Sequence, residues 1–300
     1  MEKTVFVTGA GGYIGRHAVR ALCDMGARVL IPAHHAEGAD ARAERLEVEI
    51  FGGAPDVFRR CGRPEVCLHL AWHDGFRHFS DAHLRELPLH YAFLRDMLRG
   101  GLPQLAVMGT MHELGPFDGE IREDSAGEPD TPYGAAKTAL RQLCAARCRE
   151  ENAAFQWLRG YYITGDDRHS RSVFTRLLEA ADRGERSFPF TSGRRQFDFI
   201  DVEELAHQLA AAVLQDEVCG VIECCSGRPV PLGERAERFI RENGLDLRLA
   251  YGAYPERRPD GAVWGSREKI DRILARSMLN TKEDPYGKTQ AAGAVRAVQK

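Results

Sequence analysis

Tyr133 and Lys137 stand four residues apart in the stretch TPYGAAK. In a helix, residues i and i+4 project from one face, so a phenol and an ammonium would lie side by side. A cation beside a phenol favours the phenolate and lowers its pKa, giving an acid/base group usable near neutral pH. A surface helix carrying an aromatic and a lysine by chance has the same spacing, so the pair needs support from elsewhere. TGAGGYIG supplies some: Gly9, Gly12 and Gly15 are spaced G-x-x-G-x-x-G, after the apolar TVFV and before an amphipathic run. In such a loop the first glycine allows a tight turn, the second lets backbone approach a pyrophosphate, and the third lets the helix pack on the sheet. The positive end of that helix would face the phosphates. The other reading, a plain glycine-rich turn, does not account for the strand before it and the helix after it.

These residues need a frame to hold them. TVFV (4–7) reads as a buried strand. RHAVRALCDMGA carries apolar residues at 18, 19, 22 and 25, which makes an amphipathic helix ending near Gly26. ARVLIPA reads as a second strand and EVCLHLAW (65–72) as a third. Residues 86–99 read as a helix, LAVMGT (105–110) as a strand, 133–150 as a long helix and FQWLRGYYI (155–163) as a strand. Strands alternating with helices specify an α/β fold with a doubly wound parallel sheet.

The 300 residues are 43% hydrophobic and 28% charged, which fits a soluble globular protein of one large domain or two. A net charge of −3 points to no nucleic-acid partner. No apolar run approaches the roughly 20 residues of a membrane span, so no membrane partner is expected. MEKTVFVTGAGG enters a strand pattern without a signal peptide. The eight cysteines are scattered and form no C-x-x-C, so reduced thiols in a cytoplasmic protein are expected. The eleven histidines show no H-E-x-x-H or zinc-finger spacing, and no metal is expected.

TGxxGxxG near the start and YxxxK about 120 residues later resemble the short-chain dehydrogenase/reductase superfamily. The loop TGAGGYIG and the chain length resemble its extended branch of nucleotide-sugar epimerases, dehydratases and 4-keto reductases. Further pieces are similar in order: HLAW (69–72) to HLAA, GTMHELG (109–115) to SSxxxYG, and TPYGAAK to NPYGxSK. LRGYYITG (158–165) is similar to LRxxNxYG, and RRQFDFIDVEELA (194–206) to xRDFIHVxDLA. The resemblance covers roughly residues 1–270. It implies a Rossmann-type domain over 1–165, rejoined by 197–215, and a smaller C-terminal substrate-binding domain from 166–196 and 216–280. Residues 281–300 read as a loose polar tail. The branch also implies a homodimer through the YxxxK helix and its preceding helix. Leu140, Leu143 and Cys144 have spacing compatible with that interface, or with burial against the sheet.

By the same resemblance Thr110 is the catalytic hydroxyl, Tyr133 the proton donor or acceptor, and Lys137 the partner of the phenol and of the nicotinamide ribose. The cofactor, NAD(P), would meet Gly9, Gly12, Tyr13, Ile14, Gly15, His34, Glu49, Ile50, Leu70, Ala71, Tyr161 and Ile163, besides Tyr133 and Lys137. NAD-preferring members carry an acid after the second strand. This chain reads VLIPAHHAEGADARAER there, with no acid at the strand end, which tilts the expectation to NADP(H). His34 and His35 stand there instead, with Arg42 and Arg45 further on.

The implied substrate is a nucleotide-sugar, whose pyrophosphate calls for arginines. Arg176, Arg195 and Arg258 are the candidates, with Trp72, Met111, His112 and Tyr162 lining the sugar. Tyr162 replaces the usual asparagine, and Trp72 replaces a small residue ahead of the histidine-rich HDGFRHFSDAH. Met111 and His112 stand where 4,6-dehydratases place Asp-Glu, which argues against a dehydratase. The reading is reduction of a 4-keto-deoxysugar nucleotide, with a 4-epimerase holding tightly bound NAD as the alternative. A non-catalytic, cofactor-sensing protein is a third possibility, although such proteins typically lose the tyrosine or lysine.

Overall fold

A computed structural model describes residues 3–54, 56–170, 172–256 and 260–282, with side chains to 277. Seven parallel strands form the large sheet: β1 (Thr4–Thr8), β2 (Arg28–Pro32), β3 (Glu44–Leu46), β4 (Val66–His69), β5 (Gln104–Thr110), then two later strands. A short strand β6 (Gly119–Ile121) lies outside this sheet, and β7 (Ala154–Gly160) returns to it. The spatial order runs from the last of the seven, residues Gly220–Cys224, through β7, β5, β4, β1 and β2 to β3. The order reverses between β1 and β4. In an open parallel sheet that reversal leaves a crevice at the carboxyl ends of the strands, here after Thr8 and His69.

The helices cover both faces. The pleat sends Val5 and Val7 to one side and Phe6 to the other, and all three are fully buried. Helices α1 (Gly15–Asp24), α2 (Val57–Arg60), α3 (Ala82–Arg99) and α4 (Pro132–Glu150) follow in chain order. Ala18, Val19 and Leu22 of α1 share the Val5 side, while Phe93, Leu94 and Met97 of α3 and Leu140 and Cys144 of α4 share the Phe6 side. Leu140 and Cys144 therefore bury against the sheet, and of the three interface candidates Leu143 is exposed. Helix α3 starts four residues before the expected 86. Pro88 sits inside the helix, and the preceding turn is entered with the Ser80 hydroxyl accepting from the Ala82 N–H.

The expected strand 155–163 is two strands. β7 ends at Gly160, and β8 (Tyr162–Thr164) leaves to pair with a different sheet. β7 is largely buried and β8 half-buried, and the apolar run continues through both, so it does not mark the break. After it come α5 (Val173–Asp182), β9 (Ser187–Pro189), β10 (Gln196–Asp201) and α6 (Val202–Val213). Residues Gly220–Cys224 are β11, followed by β12 (Pro229–Pro231), α7 (Leu232–Glu242), β13 (Arg248–Ala250), β14 (Ala262–Gly265) and α8 (Glu268–Lys282). The second sheet orders β12-β10-β14-β6 with β8 beside β10, and β13 pairs with β9. Helix α6 packs on α1. β11 belongs to the large sheet, whereas the sequence placed 216–280 with the smaller part. Its short run VIEC, with Glu223 inside, hides a strand whose charged residue is paired in the core. Among the described residues no helix is long and apolar enough to cross a membrane. Most of the expected tail, from 283 on, lies outside the described residues.

Candidate active site

Helix α4 opens as the sequence predicts. The sequence did not single out its cap: Thr131 accepts the Gly134 N–H at 3.2 Å, and Pro132 fills the first helical position, where no N–H is needed. Tyr133 and Lys137 then share a face, and both point back toward the end of β5. A Cβ at Gly134 would come within 2.3 Å of the His112 carbonyl oxygen, so only glycine lets α4 approach the turn after Thr110 this closely. That approach brings the Thr110 hydroxyl into hydrogen bonding with the Tyr133 phenol.

Lys137 behaves differently from the expectation. Burial pushes its ammonium down to about 7, with Glu113 opposing the shift. Its Nζ donates to the Met108 carbonyl at 2.9 Å and lies 3.9 Å from the centroid of the Trp72 ring. Tyr133 is pushed above its ordinary value by burial, which outweighs the Thr110 hydrogen bond, and Lys137 is not among the groups that lower it. The spacing rule placed both side chains correctly, but the ammonium is directed to Met108 and Trp72.

Behind Thr110 lies a buried charge network. Glu113 is fully buried; Oε1 accepts from the Thr110 N–H at 2.8 Å and the Trp157 indole at 2.7 Å, and Oε2 from Arg141 Nε at 3.0 Å. Arg159, also buried, donates to Glu223 at 2.6 Å, and the Tyr161 hydroxyl donates to the same carboxylate at 2.8 Å. Burial pushes Glu223 up to about 7. Tyr161, expected at the cofactor, is committed to this network, and Ile163 packs into the core beside α1. Glu113 escaped the sequence reading, although Thr110-Met-His-Glu113 has the spacing of a capping box, which it forms.

An aromatic wall surrounds Tyr133. The His78 ring stacks on it at 5.1 Å with 13° between planes, and the His78 carbonyl accepts the Tyr133 N–H at 3.1 Å. His83 lies at 5.1 Å, and Trp72 and His112 at 6.2 Å. His112 also faces Tyr162 at 6.2 Å, and Met111 is buried beneath. The histidine-rich loop is therefore a wall of the site, a role that histidines scattered without metal spacing do not reveal in sequence.

The glycine loop forms a cradle at the sheet's switch point. Gly9 has φ +70°, and a Cβ there would meet the Ala71 amide nitrogen at 2.7 Å; at Gly15 it would meet the Gly9 oxygen at 1.9 Å. Gly11, outside the three singled out, is as constrained: its Cβ would fall 2.3 Å from the His35 oxygen. Gly12 closes the turn by donating to the Gly9 oxygen at 3.0 Å. Helix α1 starts behind Ile14 with no side-chain cap, and its Arg16 N–H donates back to the Gly12 oxygen at 3.2 Å. Leu70 and Ala71 border the cradle, and the Tyr13 hydroxyl donates to the Gly165 oxygen at 2.6 Å. His34 and Glu49 are exposed, and Ile50 is half-buried in a small apolar cleft with Phe51 and Leu89. The tight glycines of the cradle and its place at the switch point fit the pyrophosphate of a dinucleotide.

The arginine candidates are not gathered in the same way. Arg195 is buried and donates to the Phe117 carbonyl at 2.9 Å and Asp118 at 2.7 Å, so it braces the second sheet. Arg176 is exposed with its guanidinium over Phe188. Arg258 lies outside the described residues.

Comparison with known proteins agrees with this geometry. The sequence profile described as "NAD dependent epimerase/dehydratase family" matches residues 5–222. The chain is 38% identical over 275 residues to a dTDP-6-deoxy-L-talose 4-dehydrogenase (NAD(+)) of Aggregatibacter actinomycetemcomitans, covering 88% of this chain and 99% of the relative. It is 26% identical to a UDP-glucose 4-epimerase of Azospirillum brasilense, over 85% and 81% of the two chains. Among solved structures, a UDP-glucose 4-epimerase of Thermotoga maritima with UDP-glucose has the same fold, with TM-score 0.74 at 19% identity over 93% and 100% of the chains. MoeE5 in complex with UDP-glucose and NAD gives 0.75 at 20% identity over 91% and 92%. The chain is an enzyme of the NAD-dependent epimerase/dehydratase family, within the extended short-chain dehydrogenases/reductases.

Proposed function

We propose that this enzyme interconverts the 4-keto and 4-hydroxyl forms of a nucleotide-activated 6-deoxyhexose, with ketone reduction as the direction that uses its protonated tyrosine. The observation that carries this reading is the Thr110–Tyr133–Lys137 group, set beside the glycine cradle. The relative named as a 4-dehydrogenase, matched over nearly its whole length, supports the sugar class.

The nicotinamide, when bound, supplies or accepts the hydride at the sugar carbon. Tyr133 gives its proton to the oxygen as the ketone becomes an alkoxide, or takes it back in the reverse direction. Thr110 hydrogen-bonds that oxygen and stabilises its developing charge. Lys137 holds the ribose. The wall of Trp72, His78 and His112 excludes water from the reacting carbon, and Met111 and Tyr162 complete the sugar side. Reduction consumes one proton per turnover, so Tyr133 is reprotonated from solvent each cycle.

NAD is the cofactor we favour over NADP. Arg42, the first arginine after β2, is tied to Asp40 and to Asp24, both at 2.7 Å, which removes it as a ready partner for a 2′-phosphate. A homodimer would use α3 and α4, where Leu84 and Leu143 are exposed.

The test is the cofactor content of the purified protein, followed by separate fluorescence titrations with NADH and NADPH. A protein that gives up its cofactor on desalting and rebinds NADH supports the dehydrogenase. NAD that survives desalting supports the epimerase alternative.

A further inference from the structure

We propose that Trp72 is a positioning residue for Lys137: its indole, clamped by His83 and His90, seats the ammonium over the ring face. The inference rests on the reading of Lys137 as the residue that holds the cofactor ribose.

The clamp follows from hydrogen bonds whose direction is fixed. The Trp72 Nε1–H donates to His83 Nδ1 at 3.1 Å, so the His83 proton is on Nε2, which donates to the Arg77 carbonyl at 2.9 Å. On the other side, the Leu70 and Ala71 N–H groups both donate to the Thr8 hydroxyl oxygen at 3.2 Å. That hydroxyl must give its own proton to His69 Nδ1, at 2.8 Å, and His69 Nε2–H donates to His90 Nδ1 at 2.9 Å. Both of these histidines are neutral and buried, and burial pulls His90 down to about 3. The His90 ring stacks on Trp72 at 4.6 Å with 20° between planes. The indole is held at its N–H edge and across its ring, and the chain of bonds that holds it starts at Thr8, directly before the glycine cradle.

Against this ring, Lys137 Nζ sits 3.9 Å from the centroid. A cation over an indole face in a desolvated site is attracted by the ring's quadrupole. An ammonium has three donors. The Met108 carbonyl takes one and the ring face a second, so the direction of the third is set before any cofactor arrives. Four titratable groups face Lys137 from the elements around it: Glu113 after β5, Cys144 one turn and more along α4, His69 at the end of β4, and His90 of α3. Glu113 favours the ammonium and the two imidazoles disfavour their own protonation beside it. The ring face adds to the Glu113 side.

The chain has six lysines, so the Lys137 side chain can be followed directly by NMR of protein labelled with carbon-13 lysine, assigned by loss of its signal in K137R. In W72L the Lys137 titration midpoint falls by roughly one pH unit and NADH affinity drops roughly threefold to thirtyfold. In W72F, which keeps a weaker ring face, both changes are smaller. Should W72L not fold, W72F against the unaltered protein carries the same comparison. A folded variant whose Lys137 midpoint does not move overturns the proposal. If the unaltered protein binds neither NADH nor NADPH, the functional reading fails instead, and the lysine titration still reports on Trp72.

Discussion

Glu113 Oε1 accepts the Thr110 N–H at 2.8 Å, so a fully buried carboxylate fixes the backbone that carries the hydroxyl facing Tyr133. The same oxygen holds the Trp157 indole, and Arg141 closes the other side. E113A leaves Arg141 and the Thr110 amide without this acceptor. A buried pair broken from one side costs about 3–5 kcal/mol, which urea unfolding will read. E113Q keeps one acceptor oxygen and is milder in stability. Because the Glu113 charge favours the Lys137 ammonium, E113Q moves the Lys137 titration below its value of about 7.

Gly134 is expected to tolerate no side chain. G134A puts a methyl group 2.3 Å from the His112 carbonyl and forces α4 away from the turn after Thr110. The expected cost is about 1–3 kcal/mol in stability. Displacement of the phenol from the substrate lowers turnover by roughly 10²-fold. Parallel thermal melts and activity assays check both, and an active, wild-type-stable G134A would mean the two elements are not held this close.

His90 makes stability depend on acid. The folded protein holds its imidazole neutral down to about pH 3, while an unfolded histidine takes a proton near 6.5. Between those values the unfolded chain binds more protons, so stability rises with pH across the window and is lost as pH falls. Glu223, pushed up to about 7, acts with the opposite sign above about pH 4.5, because there the folded protein binds the extra proton. The difference between wild type and H90Q isolates the histidine. H90Q keeps an acceptor for His69 and removes a slope of roughly up to 1.4 kcal/mol per pH unit. Denaturant unfolding from pH 4 to 7 measures it.

Much of the site was legible as short spacings. The glycine loop, and Tyr133 with Lys137, each depend on residues within one turn or one loop, and the structure forms them. The failures come from partners supplied by other elements. Lys137 is turned toward Met108 of β5 and Trp72 after β4, which no i+4 rule contains. Arg195 looked like a pyrophosphate ligand, but Asp118, distant in sequence, occupies it. The break between β7 and β8 is silent because the apolar run continues through both, and β11 is hidden by a glutamate whose partners are Arg159 and Tyr161. Glu113 was the one miss that the sequence did offer, at the spacing of a capping box.

Tyr133 should carry the proton without carrying the cofactor. Y133F removes the hydroxyl and leaves the glycine cradle and Lys137 in place. Turnover falls roughly 10²- to 10⁴-fold while NADH binding stays within about twofold. A protein that senses cofactor without catalysis would show no difference between the two forms.

The measurement that tests the central claim most directly is NADH oxidation with a 4-keto-6-deoxyhexose linked to dTDP, followed by absorbance, with product identified by NMR. The account predicts one NADH consumed per 4-hydroxyl formed, and loss of that turnover in Y133F. Conversion of UDP-glucose to UDP-galactose with retained NAD and no net change in NADH would contradict it.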